Sequence, residues 1–382
     1  MRGIGRVKLV VVEPTPAHGG GSEAMVLSLA RGLAGRGHEI VLVHDQPGSM
    51  TADYAAFATD IISTALPGFA FRVPATTMAG VWNLMSTVRR CGAHAGLSSH
   101  LGYLRHAALV HRLVRVPFLF HLGLPCVGST PLLRWSYRNL GFGIAPSAHT
   151  AASWEAGGWP RELLGVVPNW VDIERFQPAT DVPALRRSLS LEPEARYVLF
   201  LGRICEQKGI RVLLRAFADL GPAHEDAVLL LVGGVAPDFA DDFEAELGRL
   251  PETRRSKVLL RPVTAFPERY YQAADVACVP SLGDEAFGLT VIEAMSCGLP
   301  VLTSALGVTP DILGESHADL LRRPGDVAHW TQGLRDLLDN SAHRRRTGIS
   351  LRDRAVACFG PEPGLDAYEE RLIRMTARRR GN

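Results

Sequence analysis

Short apolar runs, each followed by a loop and a helical segment, recur along most of the chain. The runs are rich in valine, leucine and isoleucine, as in KLVVV from Lys8, VPFLF from Val116, YVLFL from Tyr197 and AVLLLV from Ala227. Such runs are typical of strands that are buried on both faces of a parallel sheet. Strands that alternate with helices in this way predict α/β domains of the doubly wound kind.

The strand pattern is lost after Asp172. The segment ERFQPATDVPALRRSLSLEPEA contains three prolines and no regular apolar run, so it predicts a linker. The length of 382 residues also indicates two domains, because single hydrophobic cores stop growing at roughly 250–300 residues. We therefore predict two similar doubly wound domains that face each other, residues 1–178 and 179–360, followed by a helix in residues 361–382.

The most informative segment for function is PSLGDEAFGLTVIEAMSCGLPV at residues 280–301. It predicts the end of a strand, a loop, a helix that begins at Gly288, and a further strand. Gly298 stands where a helix ends in a left-handed residue, for which glycine is the usual choice. The amides of Gly288, Leu289 and Thr290 would then point outward at the positive end of the helix dipole, where phosphate groups bind.

Two glutamates flank this predicted helix start. Glu285 lies in the loop before it, and Glu293 lies about a turn and a half inside the helix. Carboxylates accept hydrogen bonds from hydroxyl groups, and helix-start amides donate to phosphate oxygens. Together the carboxylates and amides predict a site for a nucleotide sugar, because that molecule carries both hydroxyl and phosphate groups.

The segment FLGRICEQKG at residues 200–209 supplies two cations. Arg203 follows the end of a strand, and Lys208 stands immediately before Gly209. Lysine occurs at only three positions in the chain, so Lys208 is conspicuous. A forked guanidinium and a compact ammonium can together neutralise a leaving diphosphate, whereas each cation taken alone would be read as an ordinary surface residue.

A glycine-rich loop, EPTPAHGGGSEAM, follows the first strand of the chain. The contiguous Gly19, Gly20 and Gly21 allow the backbone to approach a ligand closely, and Ser22 is a candidate cap for the next helix. A tight turn without a ligand is the alternative. The spacing is not GxGxxG, so the dinucleotide-binding fingerprint is missing.

His121 stands at the end of the apolar run VPFLFH. Open α/β sheets bind ligands at the carboxyl ends of their strands, so this position favours binding, although a structural role is equally open. Between Asp45 and Arg90 the sequence shows no clear strand or helix. We expect that region to shape the pocket for a second substrate.

The composition excludes several classes of protein. A net charge of +2 does not indicate a nucleic-acid-binding protein, and six scattered cysteines without CxxC spacing predict reduced thiols in a cytoplasm. There is no apolar run of eighteen residues and no signal-peptide pattern, so we expect a cytoplasmic protein without a transmembrane segment. Peripheral contact with a membrane surface through Arg105, Arg112 and Arg115 is left open. The sequence has no Asp-x-Asp, so we expect neither a metal nor a cofactor besides the substrate.

Five segments in order resemble the family 4 retaining glycosyltransferases, which have the GT-B architecture. They are GGGSEAMVLSLARGLAGRGHEIVLV, VPFLFH, VVPNWVDIERFQP, FLGRICEQKGIRVLLRAF and DEAFGLTVIEAMSCGLPVLTS. The set runs from about Val7 to Leu313 and is specific as an ordered series. The resemblance implies two facing Rossmann-like domains, the first on the acceptor side and the second binding a nucleotide-sugar donor. It also implies that the C-terminal helix crosses back to pack on the first domain.

The resemblance implies a role for each residue named above. Arg203 and Lys208 would bind the donor diphosphate, while Glu285 would lie near the hydroxyls of the transferred sugar. Glu293 would contact the ribose, His121 would touch the sugar, and the glycine loop would approach the donor from the first domain. The predicted catalytic residues are Glu285, His121, Arg203 and Lys208, and the predicted donor-binding residues are Gly19, Gly20, Gly21, Arg203, Lys208, Phe287, Gly288, Leu289, Thr290 and Glu293.

Two positions depart from the family pattern. Trp170 follows Asn169, where the family usually has glycine, and Asp311 stands after GVTP where a glutamate after a double glycine is typical. The expected contacts to the donor phosphates are unaffected by these departures. The contacts to the nucleobase and to the sugar are left open.

We expect a hexose-type unit to be transferred from a nucleoside diphosphate, with UDP as the default, to an acceptor hydroxyl. Arg203, Lys208 and the helix-start amides would neutralise the charge that develops on the diphosphate. Following the resemblance, the acceptor attacks from the front face, the configuration is retained and the leaving phosphate takes the proton. Glu285 then orients the sugar and is not a nucleophile.

Three alternatives remain at this point. An epimerase or hydrolase of nucleotide sugars would use the same fold. A nicotinamide-dependent oxidoreductase would need GxGxxG and a later acid, for which only Asp45 is a candidate. A non-catalytic sugar-binding protein would leave the grouping of Arg203, Lys208 and Glu285 unexplained.

Overall fold

The computed structural model describes residues 5–18, 20–67, 74–126, 128–283 and 285–380, so Gly19 of the predicted site lies outside the described residues. The chain divides into two compact units. One consists of residues 1–169 together with 362–382, and the other of residues 170–361. The C-terminal residues therefore belong to the first unit, as the family resemblance implies.

The observed boundary falls between Asn169 and Trp170, earlier than the predicted boundary at residue 178. Val171 and Phe176 are buried and pack within the core of the second unit. The segment before the proline-rich stretch is therefore already part of that unit. Its apolar residues are spaced irregularly, so the sequence pattern does not reveal this packing.

The first unit is built on a parallel sheet. Among the described residues its strands, seven in number, have the order β3-β2-β1-β4-β5-β6-β7. The order reverses between β1 and β4, and the space beyond the carboxyl ends of these two strands is where such sheets bind ligands. The strands are β1 Lys8–Val12, β2 Glu39–His44, β3 Asp60–Ser63, β4 Ala95–Ser98, β5 Phe118–His121, β6 Gly141–Ala145 and β7 Leu164–Val166.

Helices connect these strands. They are α1 Gly21–Gly35, α2 Thr51–Ala55, α3 Pro74–Arg90, α4 Leu104–Val114, α5 Pro131–Asn139 and α6 Ala148–Ala156. Helices α3, α4 and α5 pack side by side. Right-handed crossovers place them on the same face of the sheet.

The region from Asp45 to Arg90, in which the sequence shows no clear element, contains α2, β3 and α3. Strand β3 has no buried residue, so it lacks the apolar run that marks the central strands. Helix α3 does bury Val81, Leu84 and Val88 at helical spacing. The polar residues between them conceal this periodicity.

The second unit is built on another parallel sheet. In the part of the chain that the structure describes, it has six strands in the order β10-β9-β8-β11-β12-β13. The order reverses between β8 and β11, which are direct neighbours. The strands are β8 Arg196–Leu201, β9 Ala227–Val232, β10 Val258–Arg261, β11 Val276–Val279, β12 Val301–Ser304 and β13 Leu321–Arg322.

The helices of the second unit surround a continuous apolar core made by both faces of this sheet. They are α7 Val182–Ser188, α8 Ile210–Ala218, α9 Ala240–Arg249, α10 Glu252–Arg255, α11 Pro267–Ala273, α12 Leu289–Ser296, α13 Thr309–Leu313, α14 Val327–Asp339 and α15 Ser341–Cys358. Helix α12 follows Gly288 and ends before Gly298, whose φ of 69° is left-handed. Both helix limits predicted from the sequence are confirmed.

The last helix, α16 Pro361–Arg380, packs on the first unit. Its Tyr368 and Leu372 are each only 1% exposed. Arg36, just beyond the end of α1, donates to the carboxylate of Asp366 at 2.7 Å. Gly32 allows the close approach of α16, because a Cβ there would lie 2.5 Å from a methyl group of Leu365.

Among the described residues, no helix is both long enough and apolar enough to cross a bilayer.

Candidate active site

The two sequence segments predicted to carry the site meet at the switch point of the second sheet. Arg203 and Lys208 lie in the loop after β8, whereas Glu285 and Gly288 lie in the loop after β11. Because β8 and β11 pair directly and in parallel, the two loops leave the sheet side by side at its carboxyl edge. This is the position at which open α/β sheets bind ligands.

Lys208 and Glu285 form an ion pair between these loops. The Nζ of Lys208 donates to Oε1 of Glu285 at 2.5 Å, and the hydroxyl of Ser281 donates to the same oxygen at 2.5 Å. The Lys208 side chain is 35% exposed and that of Glu285 is 15% exposed. The ammonium has three N–H donors, so it can hold Glu285 and a ligand at the same time.

Gly209 fixes how closely the two loops approach. Its φ of 69° is left-handed, and a Cβ at this position would lie 1.8 Å from the carbonyl oxygen of Pro280. The Leu282 amide donates to the Gln207 carbonyl at 2.8 Å across the same junction. Glycine is therefore needed at residue 209 for both conformation and space, and it sets the position of Lys208 next to it.

Helix α12 begins at this junction. Gly288, with φ 88°, is the residue before its first turn, and the first helical bond runs from the Val291 amide to the Gly288 carbonyl at 3.0 Å. The amides of Leu289 and Thr290 precede that bond and have no partner within the helix. They are the groups expected to face an anion.

Phe287, predicted in the donor-binding set, turns its side chain into the protein. The ring is 4% exposed and makes an edge-on contact with Phe359 at 6.0 Å between ring centroids. Only its backbone is therefore available to the helix start. Its ring anchors the loop between Glu285 and α12.

Glu293 lies inside α12 and is largely buried. Its Oε2 accepts a hydrogen bond from the hydroxyl of Tyr271 at 2.9 Å. Burial raises the pKa of Glu293 to about 7, although the bond from Tyr271 and the charge of Arg175 oppose that shift. The carboxyl group therefore changes charge near neutral pH.

Arg203 is exposed just beyond β8. Within the described ranges the structure shows no ion pair that holds its guanidinium. The structure thus joins Lys208 to Glu285 but leaves Arg203 extended into solvent on the same loop.

A third loop, after β12, approaches the backbone of Glu285. The sequence analysis did not single out its residues for binding. Gly307 is left-handed, with φ 54°, and a Cβ there would lie 2.8 Å from the carbonyl oxygen of Glu285. The Thr309 hydroxyl donates to the Ser304 carbonyl at 2.6 Å, which holds this loop in place. Asp311, which departs from the family pattern, is exposed in the short helix α13.

In the first unit, the glycine loop leads directly into α1. Gly20 is the residue before the helix and Gly21 is its first residue. The prediction that Ser22 caps this helix is wrong, because Ser22 already lies inside it. The Ser22 hydroxyl instead fills the space beside Gly123, where a Cβ would lie 2.0 Å from its oxygen.

His121 is buried at the end of β5, with 1% of its surface exposed. Its Nδ1 shares a hydrogen bond of 2.9 Å with the hydroxyl of Tyr368 on α16. Among the described residues its Nε2 has no partner, and burial lowers the pKa of the imidazole to about 4. The ring is therefore neutral near pH 7, and its Nε2 is a buried atom without a hydrogen-bond partner among the described residues.

Glu13 and His100 form a pair at the switch point of the first sheet that sequence reasoning missed. They follow β1 and β4, and Oε2 of Glu13 lies 2.7 Å from Nε2 of His100. Glu13 is 1% exposed and burial raises its pKa. Burial lowers the pKa of His100, but its bond to Glu13 and the nearby carboxylate charges together raise it above the usual value. The only sequence signal for this pair is that an acid follows one strand and a histidine follows another. The sequence does not reveal that the two strands are neighbours.

Within the described ranges, no group of three or more His, Cys, Asp or Glu side chains is arranged to hold a metal ion.

The fold and the site define a two-unit α/β protein in which a helix begins at the switch point of a sheet. Two family models match the chain. Residues 19–175 match Glycosyltransferase Family 4, and residues 181–354 match Glycosyl transferases group 1. Together they cover most of the sequence, and the chain belongs to the family 4 glycosyltransferases of GT-B architecture.

Curated relatives include enzymes named D-inositol 3-phosphate glycosyltransferase. The one from Nocardia farcinica is 36% identical over 214 residues, which is 53% of this chain and 45% of that protein. The one from Streptomyces avermitilis is 32% identical over 219 residues, 54% of this chain and 46% of that protein. The match to each thus spans less than half of that protein.

Solved structures share the fold. HepE from Anabaena, in complex with UDP and glucose, has a TM-score of 0.82 and 18% identity, over 96% of this chain and 99% of that chain. Sucrose-phosphate synthase from Thermosynechococcus elongatus has a TM-score of 0.81 and 20% identity, over 97% of this chain and 100% of that chain.

Proposed function

We propose that the protein transfers a glycosyl unit from a nucleoside diphosphate sugar to an acceptor hydroxyl. The observation that carries the proposal is the meeting of the Lys208 loop, Glu285 and the start of α12 at one switch point. A diphosphate needs cations and amides, and a sugar needs carboxylates, and this edge of the sheet offers both. The names of the relatives and the UDP and glucose bound to HepE support the same substrate class.

In this proposal Lys208, Arg203 and the α12 amides bind the donor diphosphate. Bond cleavage adds negative charge to that group, and stabilising the charge supplies several kcal/mol of rate enhancement. Lys208 is already oriented by Glu285, so its ammonium needs little rearrangement. Arg203 is exposed, and its forked guanidinium can pair with a phosphate oxygen.

In this proposal Glu285 and Glu293 accept hydrogen bonds from hydroxyl groups of the donor. Glu285 orients the transferred sugar through the carboxylate oxygen that Lys208 and Ser281 leave free. Glu293 accepts from the ribose when it is ionised, with Tyr271 holding its other oxygen. The pKa of Glu293, near 7, means that ribose binding strengthens as the pH rises through neutrality.

Residues of the first unit complete the proposal. The Nε2 of the neutral His121 hydrogen-bonds a hydroxyl of the sugar, and Tyr368 fixes the ring through Nδ1. Gly20 and Gly21 allow the backbone to approach the donor, together with Gly19, which lies outside the described residues. The Glu13–His100 pair lies at the switch point of that sheet and is the group we assign to the acceptor side.

We further propose that the reaction proceeds by front-face attack with retention and without a metal, and that UDP is the nucleotide. The leaving phosphate takes the proton of the acceptor hydroxyl, so no separate base is required. The support is the family membership and the cationic loop that can replace a metal in charge neutralisation. The cytoplasmic location expected from the sequence also remains a prediction.

A thermal-shift panel of UDP-, GDP-, ADP- and TDP-sugars tests the donor. A ligand at a hundred times its Kd stabilises a protein by about 2.7 kcal/mol, so the right nucleotide raises the Tm clearly. Lys208→Ala should lose most of that shift, whereas Lys257→Ala, at an exposed position before β10, should keep it. A panel in which no nucleotide sugar raises the Tm contradicts the proposal.

Product analysis separates transfer from the alternatives. With the donor identified by the panel, transfer requires an added acceptor and yields a glycoside of the same anomeric configuration, read by NMR. Release of free sugar without an acceptor identifies a hydrolase, and conversion of the sugar within the nucleotide identifies an epimerase. An absorbance change with NADH identifies an oxidoreductase.

A further inference from the structure

The sequence from Ile61 to Trp154 contains no aspartate and no glutamate. The same stretch carries eight arginines, so all 39 acidic residues of the chain lie outside it. Away from this stretch the chain has 33 basic residues, fewer than its acidic ones. The small net charge of +2 therefore hides a strongly basic segment.

The structure concentrates this segment on one side of the first unit. Helices α3, α4 and α5 all belong to it and pack side by side on one face of the sheet. Every charged side chain of these helices, histidine aside, is an arginine. No carboxylate within the three helices can neutralise that surface.

Large apolar side chains are exposed on the same three helices. Met78 and Trp82, one turn apart on α3, are 58% and 63% exposed. Leu113 on α4 is 57% exposed, and Leu132 and Trp135 on α5 are each 37% exposed. Exposed apolar side chains on three helices that pack side by side are typical of an interaction surface.

Exposed arginines accompany these apolar residues. Arg89 lies two turns beyond Trp82 on α3, Arg112 is next to Leu113, and Arg138 lies one turn beyond Trp135. For these three arginines the structure shows no ion pair among the described residues. The positive charge of this surface is therefore available to a partner.

We propose that this face, made of the exposed sides of α3, α4 and α5, docks on a phospholipid bilayer that contains anionic lipids. Tryptophan sits at the level of lipid headgroups, and arginine pairs with the anionic headgroups beside it. Met78, Leu113 and Leu132 fit the boundary of the acyl chains, whereas a nucleic acid offers them no matching apolar surface. The inference is independent of the proposed sugar transfer, because it needs no substrate.

Vesicle co-sedimentation of the full chain tests the proposal. Vesicles of phosphatidylcholine alone are compared with vesicles that also contain phosphatidylglycerol. We expect sedimentation with the anionic vesicles, a blue shift of tryptophan emission on binding, and loss of binding at about 1 M NaCl, where charges are screened within about 3 Å. Equal binding to both vesicles, or binding to neither, overturns the proposal.

Surface variants locate the contact. Arg112→Ala and Arg138→Ala should each weaken binding to anionic vesicles about fivefold. The double variant Trp82→Ala with Trp135→Ala should lose the fluorescence shift. Phe266→Ala in the second unit, at a side chain 60% exposed, is the matched control and should bind normally.

Other outcomes exclude the membrane as the partner. Binding that falls equally in the Phe266→Ala control shows that the contact is elsewhere. A dimer in sedimentation velocity that disappears in the double tryptophan variant shows a second copy as the occupant. Binding of homopolymeric RNA without vesicle binding shows a nucleic acid. The exposed positions should leave the Tm unchanged, so a lost contact is distinguished from misfolding.

Discussion

Lys208 is the residue on which the proposed charge stabilisation depends most directly. Glu285 holds its ammonium, and the Ser281 hydroxyl donates to the same carboxylate oxygen. A cation fixed in this way stabilises developing charge without reorganising when the reaction occurs. In the proposed reaction this pair connects the phosphate end of the donor with its sugar end.

Replacing Lys208 by alanine should reduce turnover by roughly a hundredfold or more, as the loss of one preorganised charge-stabilising group does. Arg203→Ala should act in the same direction. The measurement is kcat with the donor that the thermal-shift panel identifies. Lys257→Ala is the control and should keep normal kcat, and near-normal turnover in both site variants would refute the diphosphate assignment.

The raised pKa of Glu293 makes the free energy of unfolding depend on pH in a known direction. Because burial raises its pKa from 4.5 to about 7, the folded protein binds this proton more tightly than the unfolded chain does. Its stabilising effect is therefore complete below about pH 4.5 and is lost as the pH rises through 7. A shift of this size corresponds to about 3 kcal/mol.

The variant Glu293→Gln cannot ionise at this position, so it should not lose this stability as the pH rises. Its free energy of unfolding, measured with urea, should exceed that of the wild type at about pH 8.5 and lose this advantage at about pH 4.5. Glu244→Gln, at an exposed position of α9, should show no such difference. Parallel pH profiles of the wild type and Glu293→Gln would contradict the buried carboxyl.

At the scale of elements, the site depends on how two strand-end loops meet. Strands β8 and β11 fix where the loops leave the sheet, and Gly209 fixes how closely they approach. The left-handed Gly288 then turns the chain into α12, whose first amides have no partner within the helix. The proposed chemistry thus depends on loops whose geometry is set by a rigid sheet.

Gly209→Ala tests this arrangement against a matched glycine. Gly325 is also left-handed, with φ 77°, but the nearest neighbour of a Cβ there, a methyl group of Leu282, lies at an ordinary contact distance of 4.0 Å. Gly325→Ala should therefore cost only the conformational penalty of about 1–2 kcal/mol. Gly209→Ala should cost clearly more, because its Cβ meets the Pro280 carbonyl, and it should also reduce turnover by displacing Lys208. Equal unfolding midpoints in urea for the two variants would contradict the close approach.

At the scale of the molecule, the first unit depends on a helix from the far end of the chain. Helix α16 buries Tyr368 and Leu372 and brings Glu369 to His38, with 2.9 Å between the carboxylate and the imidazole. It also fixes the ring of His121 through Tyr368. The last residues of the chain thus orient a residue of the proposed site in the first unit.

Removing residues 362–382 should destabilise the first unit selectively. Each buried apolar side chain of α16 contributes about 1.5–3 kcal/mol, against a total stability of about 5–15 kcal/mol for a domain. We expect limited proteolysis to cut within residues 5–169 while the second unit resists. Arg374→Ala, at an exposed position of α16, should leave the proteolysis pattern unchanged. An intact first unit in the truncated chain would refute the dependence.

The sequence by itself determined most of the α/β architecture and the second-unit half of the candidate site. Apolar runs mark the central strands because those are buried on both faces, and Gly288 and Gly298 mark the limits of α12 because few other residues adopt their conformation. Strand β3 and helix α3 escaped prediction, since an edge strand and a mixed helix lack such a clear pattern. The cap at Ser22 failed because a glycine before the helix leaves no side chain to indicate where it starts.

Only the tertiary structure decided which distant residues meet. The Lys208–Glu285 pair, the Glu13–His100 pair and the bond between His121 and Tyr368 all join segments far apart in the chain. Strand order in a sheet follows from how the crossovers pack, and that order is not written in any local pattern. Local sequence patterns therefore predict the helices and strands, whereas long-range packing determines which side chains share a site.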